Sequence, residues 1–289
     1  MTPATTLEII TPSFAGDFEL CRDLHRSVLA LTGANVRHQI LVPARDVDLF
    51  SQLAGARTVI RPESQVLPHS FVRSPWGNWT INIRRPFPPV RGWILQQLVK
   101  LAAVAQSQAD VVVVVDSDIE FVRAFSADTF RDGDAVRFYC LPDGVTATMP
   151  RHVLWHQAAR RLLGLPEAPP PPLPDYISSL IAWDPAIVRR LLERVEAVTR
   201  RRWFDAIAAQ LHFSEWTLYG VYVDEIHGRR RPGSDRSLCH AYWGTVPLDD
   251  DSAAKFFAQL APDDVAIMVS AKTHTPLAVR RAAFRALTP

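Results

Sequence analysis

Apolar residues in the first third of this chain alternate between compact runs and helical spacing. The run Leu7–Thr11, ended by Pro12, predicts a strand. Leu20, Leu24, Val28 and Leu31 then recur at the spacing of one helix face, which predicts a helix over Phe18–Leu31 with Asp17 placed to cap it. His38–Val42 reads as a second strand, a short helix follows near Val47–Leu53, and Thr58–Ile60 reads as a third strand. This βαβαβ rhythm predicts an α/β fold with a parallel sheet and covering helices. Gly92–Gln106 is a further helix, with Ile94, Leu95, Leu98, Leu101 and Ala102 on one face. It leads into five consecutive valines, Val111–Val115, whose unbroken apolar character fits a strand buried on both sides.

Between these elements, Pro62–Val90 carries Pro68, Pro75, Pro86, Pro88 and Pro89 and no long period, so a long loop is expected. It also holds Arg73, Arg84 and Arg85 beside Trp76 and Trp79, with Arg91 just beyond. Downstream, short strands are expected at Ile119–Val122, Ala135–Cys140, Ser179–Trp183, Leu238–Trp243 and Val265–Ser270. Helices are expected over Val153–Leu163, Ala186–Val198 (opened by Pro185), Trp203–Leu211, Trp216–Val223 and Leu277–Ala286. Pro166–Pro174 reads as a stiff connector.

Composition narrows the class. The chain has 289 residues, 48% hydrophobic and 21% charged, enough for a substantial core. Its 32 basic against 30 acidic residues leave a net charge of +2, which gives no sign of a nucleic-acid partner. Cys21, Cys140 and Cys239 are scattered and odd in number, which fits a reducing compartment and a cytoplasmic protein. No apolar stretch is long enough to predict a membrane span, although a peripheral membrane contact stays open.

Chemistry concentrates where the valine run stops, at Asp116-Ser117-Asp118. Two carboxylates at the carboxyl end of a buried strand need compensation, and hard oxygen ligands suit Mg²⁺ or Mn²⁺. Ligands of open α/β sheets also gather at that end of the strands. The bland alternative is a solvated turn closing a strand. Lys100 is set apart from the other cations by its place on the helix that feeds the valine strand.

With these residues in view, the chain resembles the metal-dependent nucleotide-sugar glycosyltransferases of the A-type (GT-A) fold, in particular bacterial members whose acceptors are not obvious from sequence. The likeness is carried by Thr11–Phe14 (TPSF), Gly92–Ala103 (GWILQQLVKLAA), Val111–Val122 (VVVVVDSDIEFV) and Ser214–Gly220 (SEWTLYG). It implies one Rossmann-related domain with a mostly parallel central sheet flanked by helices. Residues 1–125 would form the nucleotide-sugar half and residues 126–289 the acceptor-binding half. It further implies Mn²⁺ or Mg²⁺ on the diphosphate of a donor, a UDP-sugar being favoured, and a hydroxyl acceptor of carbohydrate or other type.

Carried over by position, Asp116 and Asp118 would bind the metal, with His240 as a further ligand and His274 as its competitor. Thr11, Pro12, Ser13, Asp17, Arg91, Lys100, Asp116 and Ser117 would hold the nucleotide sugar. Glu215 is the candidate base that deprotonates the acceptor hydroxyl, with Asp184 as runner-up. Trp183, Trp216 and Tyr219 would line the acceptor pocket. Each has a structural alternative. Asp17, Asp184 and the Ser214-Glu215 pair can serve as helix caps and dipole partners. His240 can be a strand histidine bonded to backbone, Trp183 can be core, and Arg229–Arg231 can be a solvated loop. Inversion and retention are both compatible with the pattern.

Two other functions compete. A haloacid-dehalogenase-like phosphatase also places Asp-x-Asp after a strand, but its nucleophile belongs near the start of the domain, with Thr or Val where this chain has Glu120. A non-catalytic carbohydrate-binding protein on a degenerate transferase fold would use the tryptophans alone. No G-x-x-x-x-G-K-[ST] motif occurs, so a P-loop enzyme is not supported.

Overall fold

The computed structural model describes residues 5–73, 79–229 and 232–287; Trp76, Arg230 and Arg231 lie outside the described residues. In chain order the strands are β1 (Leu7–Pro12), β2 (Val36–Val42), β3 (Thr58–Pro62), β4 (Phe71–Arg73), β5 (Thr80–Asn82), β6 (Arg85–Val90), β7 (Val111–Val114), β8 (Ile119–Phe121), β9 (Arg131–Asp132), β10 (Ala135–Val136), β11 (Leu141–Val145), β12 (Leu173–Asp175), β13 (Ile181–Trp183), β14 (Cys239–Tyr242) and β15 (Ala266–Val269). The helices are α1 (Phe18–Leu31), α2 (Val47–Phe50), α3 (Gly92–Gln106), α4 (Pro150–Leu163), α5 (Pro185–Thr199), α6 (Trp203–Ala208), α7 (Glu215–Tyr222), α8 (Asp250–Phe257) and α9 (Leu277–Leu287).

The central sheet has the order β13-β7-β1-β2-β3. Its three pairings from β7 to β3 are parallel, and β13 joins β7 antiparallel. The valine run explains the layering. Val112 and Val114 pack with Leu98, Leu101, Leu191 and Leu218 on one face. Val111, Val113 and Val115 pack with Leu24, Val28 and Phe121 on the other. Both faces are covered, so the strand has no solvent side to fill with polar residues.

A second sheet, β14-β15-β8, begins where the first ends. The chain leaves β7, turns through Asp116-Ser117-Asp118 and enters β8, which pairs antiparallel with β15. The turn therefore joins two sheets, and Val269 N–H donates to the Asp118 carbonyl across the joint at 3.3 Å. On α7, Gly220 sits so close to the Tyr176 ring that a Cβ there would lie about 2.1 Å from Cγ, so only glycine lets this helix approach.

Within the expected loop Pro62–Val90, Phe71–Arg73, Thr80–Asn82 and Arg85–Val90 pair as the antiparallel meander β4-β5-β6. The prolines of β6 are tolerated because it is an edge strand, which need not donate along its full length. The strand expected over Ala135–Cys140 shrinks to Ala135–Val136, and α8 is a helix that the expected elements did not include. Among the described residues no helix is long and apolar enough to cross a membrane.

Candidate functional site

A cleft of about 670 Å³ opens at the carboxyl end of β7. Its floor is Asp116, Ser117 and Asp118, and its walls include Ser13, Asp17 and Trp216. The alternation of β7 continues past Val114, so Asp116 emerges on the α3 face. There its Oδ1 lies 3.0 Å from Lys100 Nζ. Lys100 is almost fully buried within α3 and is held from below by Glu215, whose Oε1 lies 3.4 Å away. Its ammonium also stands 4.8 Å from the centre of the Trp216 ring. Burial opposes the ammonium, but Asp116 and Glu215 outweigh it and hold the Lys100 pKa above its usual value.

Asp118 is anchored from the second sheet. Ala271 N–H donates to its Oδ2 at 2.8 Å, and the buried Arg280 of α9 donates to its carbonyl at 2.9 Å. Burial, then the neighbouring Asp116, push the Asp118 carboxyl up to about 6. Asp17 is raised by the same two causes in the same order. Its side chain makes no capping bond to α1 and instead lines the cleft. Ser117 Oγ donates to Ser13 Oγ at 2.9 Å and ties the β7 turn to the β1 loop.

Four carboxylates, Asp17, Glu63, Asp116 and Asp118, thus line one cleft, and cationic partners are close by. The first turn of the 15-residue helix α3 lines the same cleft through Gly92, Trp93 and Gln96, adding its positive dipole end. Arg73 and Lys272 also border it. Asp116 and Asp118 suit a hard divalent cation, because such ions are commonly held by one or two carboxylates completed by substrate phosphates and water. Burial first, then repulsion from Asp116, lifts Asp118, and a cation there would relieve the repulsion. Among the described residues no group of three or more His, Cys, Asp or Glu is arranged to hold a metal.

Several residues expected in the site lie elsewhere. His240 turns away: its Nε2 donates to the Phe256 carbonyl at 2.9 Å, and its ring stacks on Phe256 at 4.1 Å. His274 lines the cleft instead. Glu215 is buried beside Lys100, pairs with its ammonium and is not among the residues that line the cleft. Its N–H is fixed by Gln97 Oε1 at 2.9 Å, while Ser214 caps α7 at Thr217 N–H.

Asp184 caps α5 through Ala186 N–H at 2.7 Å. It follows Trp183, which pairs with Val112, so it sits at the amino end of β7, opposite the cleft. There it borders a separate cavity of about 520 Å³ with Tyr219 and Arg190. Trp183 is core, stacked on Tyr219 at 5.3 Å. Thr11 is fully buried and bonded to His38 Nε2 at 2.9 Å, and Arg91 donates to the Leu211 carbonyl at 3.2 Å; neither lines the cleft. Pro12, Ser13, Asp17, Asp116, Ser117, Asp118 and Trp216 do line it. Lys272, Trp93, Trp243 and the Ala271 N–H are not among the expected site residues; Ala271 and Lys272 lie within three residues of His274.

The profile of a family of unknown function, DUF6492, matches residues 5–288 of the chain. No curated protein matches it. Among solved structures it is similar to the galactosyltransferase LgtC in complex with donor and acceptor sugar analogues, at 11% identity and a TM-score of 0.45, over 98% of this chain and 96% of that one. It is also similar to an active-site mutant of LgtC, at 12% identity and a TM-score of 0.44, over 97% and 94% of the two chains.

Proposed function

The chain belongs to DUF6492, a family of unknown function, and for it we propose a nucleotide-sugar-dependent glycosyltransferase activity. The observation that carries the reading is the pair Asp116 and Asp118 at the carboxyl end of a central parallel strand, lining a cleft beside a helix N-terminus. The resemblance to A-type transferases supports it further, since its other motifs, Thr11–Phe14, Gly92–Ala103 and Ser214–Gly220, also contribute residues to this cleft.

Each residue has a task in this reading. The Ser13 and Ser117 hydroxyls and Asp17 offer acceptors and donors for the nucleoside and sugar hydroxyls. The first turn of α3, with Arg73 and Lys272, attracts the diphosphate. Lys100 fixes the direction of the Asp116 carboxylate, and Ala271 N–H fixes that of Asp118. A divalent cation held by Asp116 and Asp118 would neutralise charge developing on the leaving nucleoside diphosphate. Trp93, Trp216 and Trp243 give the cleft aromatic faces against which a sugar ring packs.

The test is a thermal-shift panel of UDP-, GDP-, CMP- and dTDP-sugars with and without Mn²⁺, followed by assay for release of the free nucleotide. A Mn²⁺-dependent shift for one donor class, with slow hydrolysis of that donor, is the expected result. No shift with any nucleotide would overturn the reading.

One observation favours a second reading, a carbohydrate-binding protein without catalysis. Asp116 already has a cation in Lys100, and no third metal-ligating side chain joins the pair among the described residues. Sugar binding that survives Asp118→Ala, with no donor hydrolysis by the parent, would select it.

A further inference from the structure

The meander β4-β5-β6 has one packed face and one open face. Phe71 packs on Phe204 with ring centres 6.1 Å apart, and Asn82 donates to Asp205 Oδ1 at 2.6 Å, so this face is seated on α6. Alternation sends Val72 and its partner Ile81 to the other face. The hairpin Ile83-Arg84-Arg85-Pro86-Phe87 extends from that sheet, and Ile83 and Phe87 are 62% and 82% exposed. Trp79 and Val72 are exposed as well. Scattered single apolar residues need no explanation, but four on one small sheet form a patch.

Basic charge gathers beside the same hairpin, on its α6 side. Arg84 and Arg85 share a concavity of about 500 Å³ with Arg200, Arg201 and Arg202, the turn between α5 and α6. Asp205 is the sole acidic residue there, and it is engaged by Asn82 and, at 4.0 Å, by Arg84. Among the described residues, no carboxylate lies within ion-pairing distance of the Arg85, Arg200, Arg201 or Arg202 guanidinium groups. Such a concentration of like charge is costly without a counter-charge.

We propose that this surface, formed by the β5–β6 hairpin and the Arg200–Arg202 turn, docks the protein on an anionic phospholipid bilayer. The arginines meet lipid phosphates, while Phe87, Ile83 and Trp79 enter the headgroup boundary. The chemistry favours a bilayer over a nucleic acid. A net charge of +2 gives no overall pull towards a polyanion, and Val72 and Ile83 add aliphatic surface that suits an acyl boundary better than base stacking. Because β4 ends at Arg73, which borders the cleft, docking would bring the cleft mouth near the bilayer. The inference does not depend on the transferase reading, since its test uses no nucleotide, sugar or metal.

The test is sedimentation of the full chain with vesicles of phosphatidylcholine alone or mixed with phosphatidylglycerol. Binding to the anionic vesicles only, weakened by added salt, is expected. The triple variant Arg85→Gln, Arg201→Gln, Arg202→Gln should bind at least about 10-fold more weakly, and Phe87→Ser should also lose binding, each with an unchanged melting temperature. Arg84 and Arg200 are left in place because one pairs with Asp205 and the other ends α5 in a left-handed conformation. Equal sedimentation with neutral vesicles, or an unaffected triple variant, would overturn the proposal. So would binding of a single-stranded oligonucleotide more tightly than the vesicles and through the same arginines.

Discussion

Lys100 Nζ lies 3.0 Å from Asp116 Oδ1, so the first carboxylate of the cleft is anchored by a cation from the helix that precedes its own strand. Glu215 completes the group from the opposite side. Lys100→Met would leave Glu215 buried without a partner, and removal of one member of a buried pair costs about 3–5 kcal/mol. The double variant Lys100→Met, Glu215→Gln should recover most of that stability in urea unfolding. It should not recover Mn²⁺-dependent nucleotide binding, because Asp116 stays unanchored. Parallel recovery of both would show that Lys100 has no part in holding Asp116.

Glu215→Gln separates a counterion from a base. Removing a general base typically lowers turnover by about 10²–10⁴-fold. As a buried partner of Lys100, Glu215 should instead give a loss below about 10-fold and an unaltered pH profile of donor hydrolysis. A deep loss together with a vanished basic limb would return it to the base role.

Asp118 is expected to trade stability for binding. Its carboxyl is raised to about 6, so its ionisation disfavours the folded state as pH rises through that value. Asp118→Asn keeps an acceptor for Ala271 N–H and should be more stable than the parent by roughly 1–2 kcal/mol above pH 7, with no gain near pH 4. The same variant should lose any Mn²⁺-dependent shift. Calorimetry across pH measures the first effect and the nucleotide panel the second.

His240 and His274 should behave oppositely. His240→Leu removes the bond to the Phe256 carbonyl and should lower the melting temperature while leaving Mn²⁺ dependence intact. His274 is exposed at the cleft, so His274→Ala should spare stability and raise the Mn²⁺ concentration needed for the nucleotide-induced shift. The reverse pattern would reinstate His240 as the ligand.

The buried His38, bonded to Thr11 and facing His25, is held down to about 3, first by burial and then by His25. The unfolded chain takes up its proton near the ordinary value of 6.5, so stability is lost as pH falls from there towards 3. His38→Gln keeps a partner for Thr11. Between pH 7 and pH 4 it should lose about 2–3 kcal/mol less than the parent does, as followed by denaturant midpoints.

What could be read from sequence was what periodicity governs. The bounds of α1 and α3 follow directly from their apolar spacing, and the valine run located both the central strand and the carboxylates at its end. Side-chain direction was harder. In β14, Cys239 and Ala241 face the core shared with β8, which sends His240 and Tyr242 to the side covered by α8. That helix was not among the expected elements, because its apolar face, Ala253 and Phe257, spans only two turns, so the partner of His240 was missing. Glu215 was placed correctly at a helix start, but only three dimensions reveal that Lys100 occupies the space above it.

The valine run is also a ruler. Every residue in it reverses face, so the number of valines sets which wall Asp116 meets when the strand ends. One valine more or fewer would deliver the carboxylate to the α1 side, away from Lys100, with the apolar composition of the core nearly unchanged. The length of an apparently uniform stretch thus encodes the polarity of the cleft, and a single-codon insertion there would disarm the site without touching any residue that lines it.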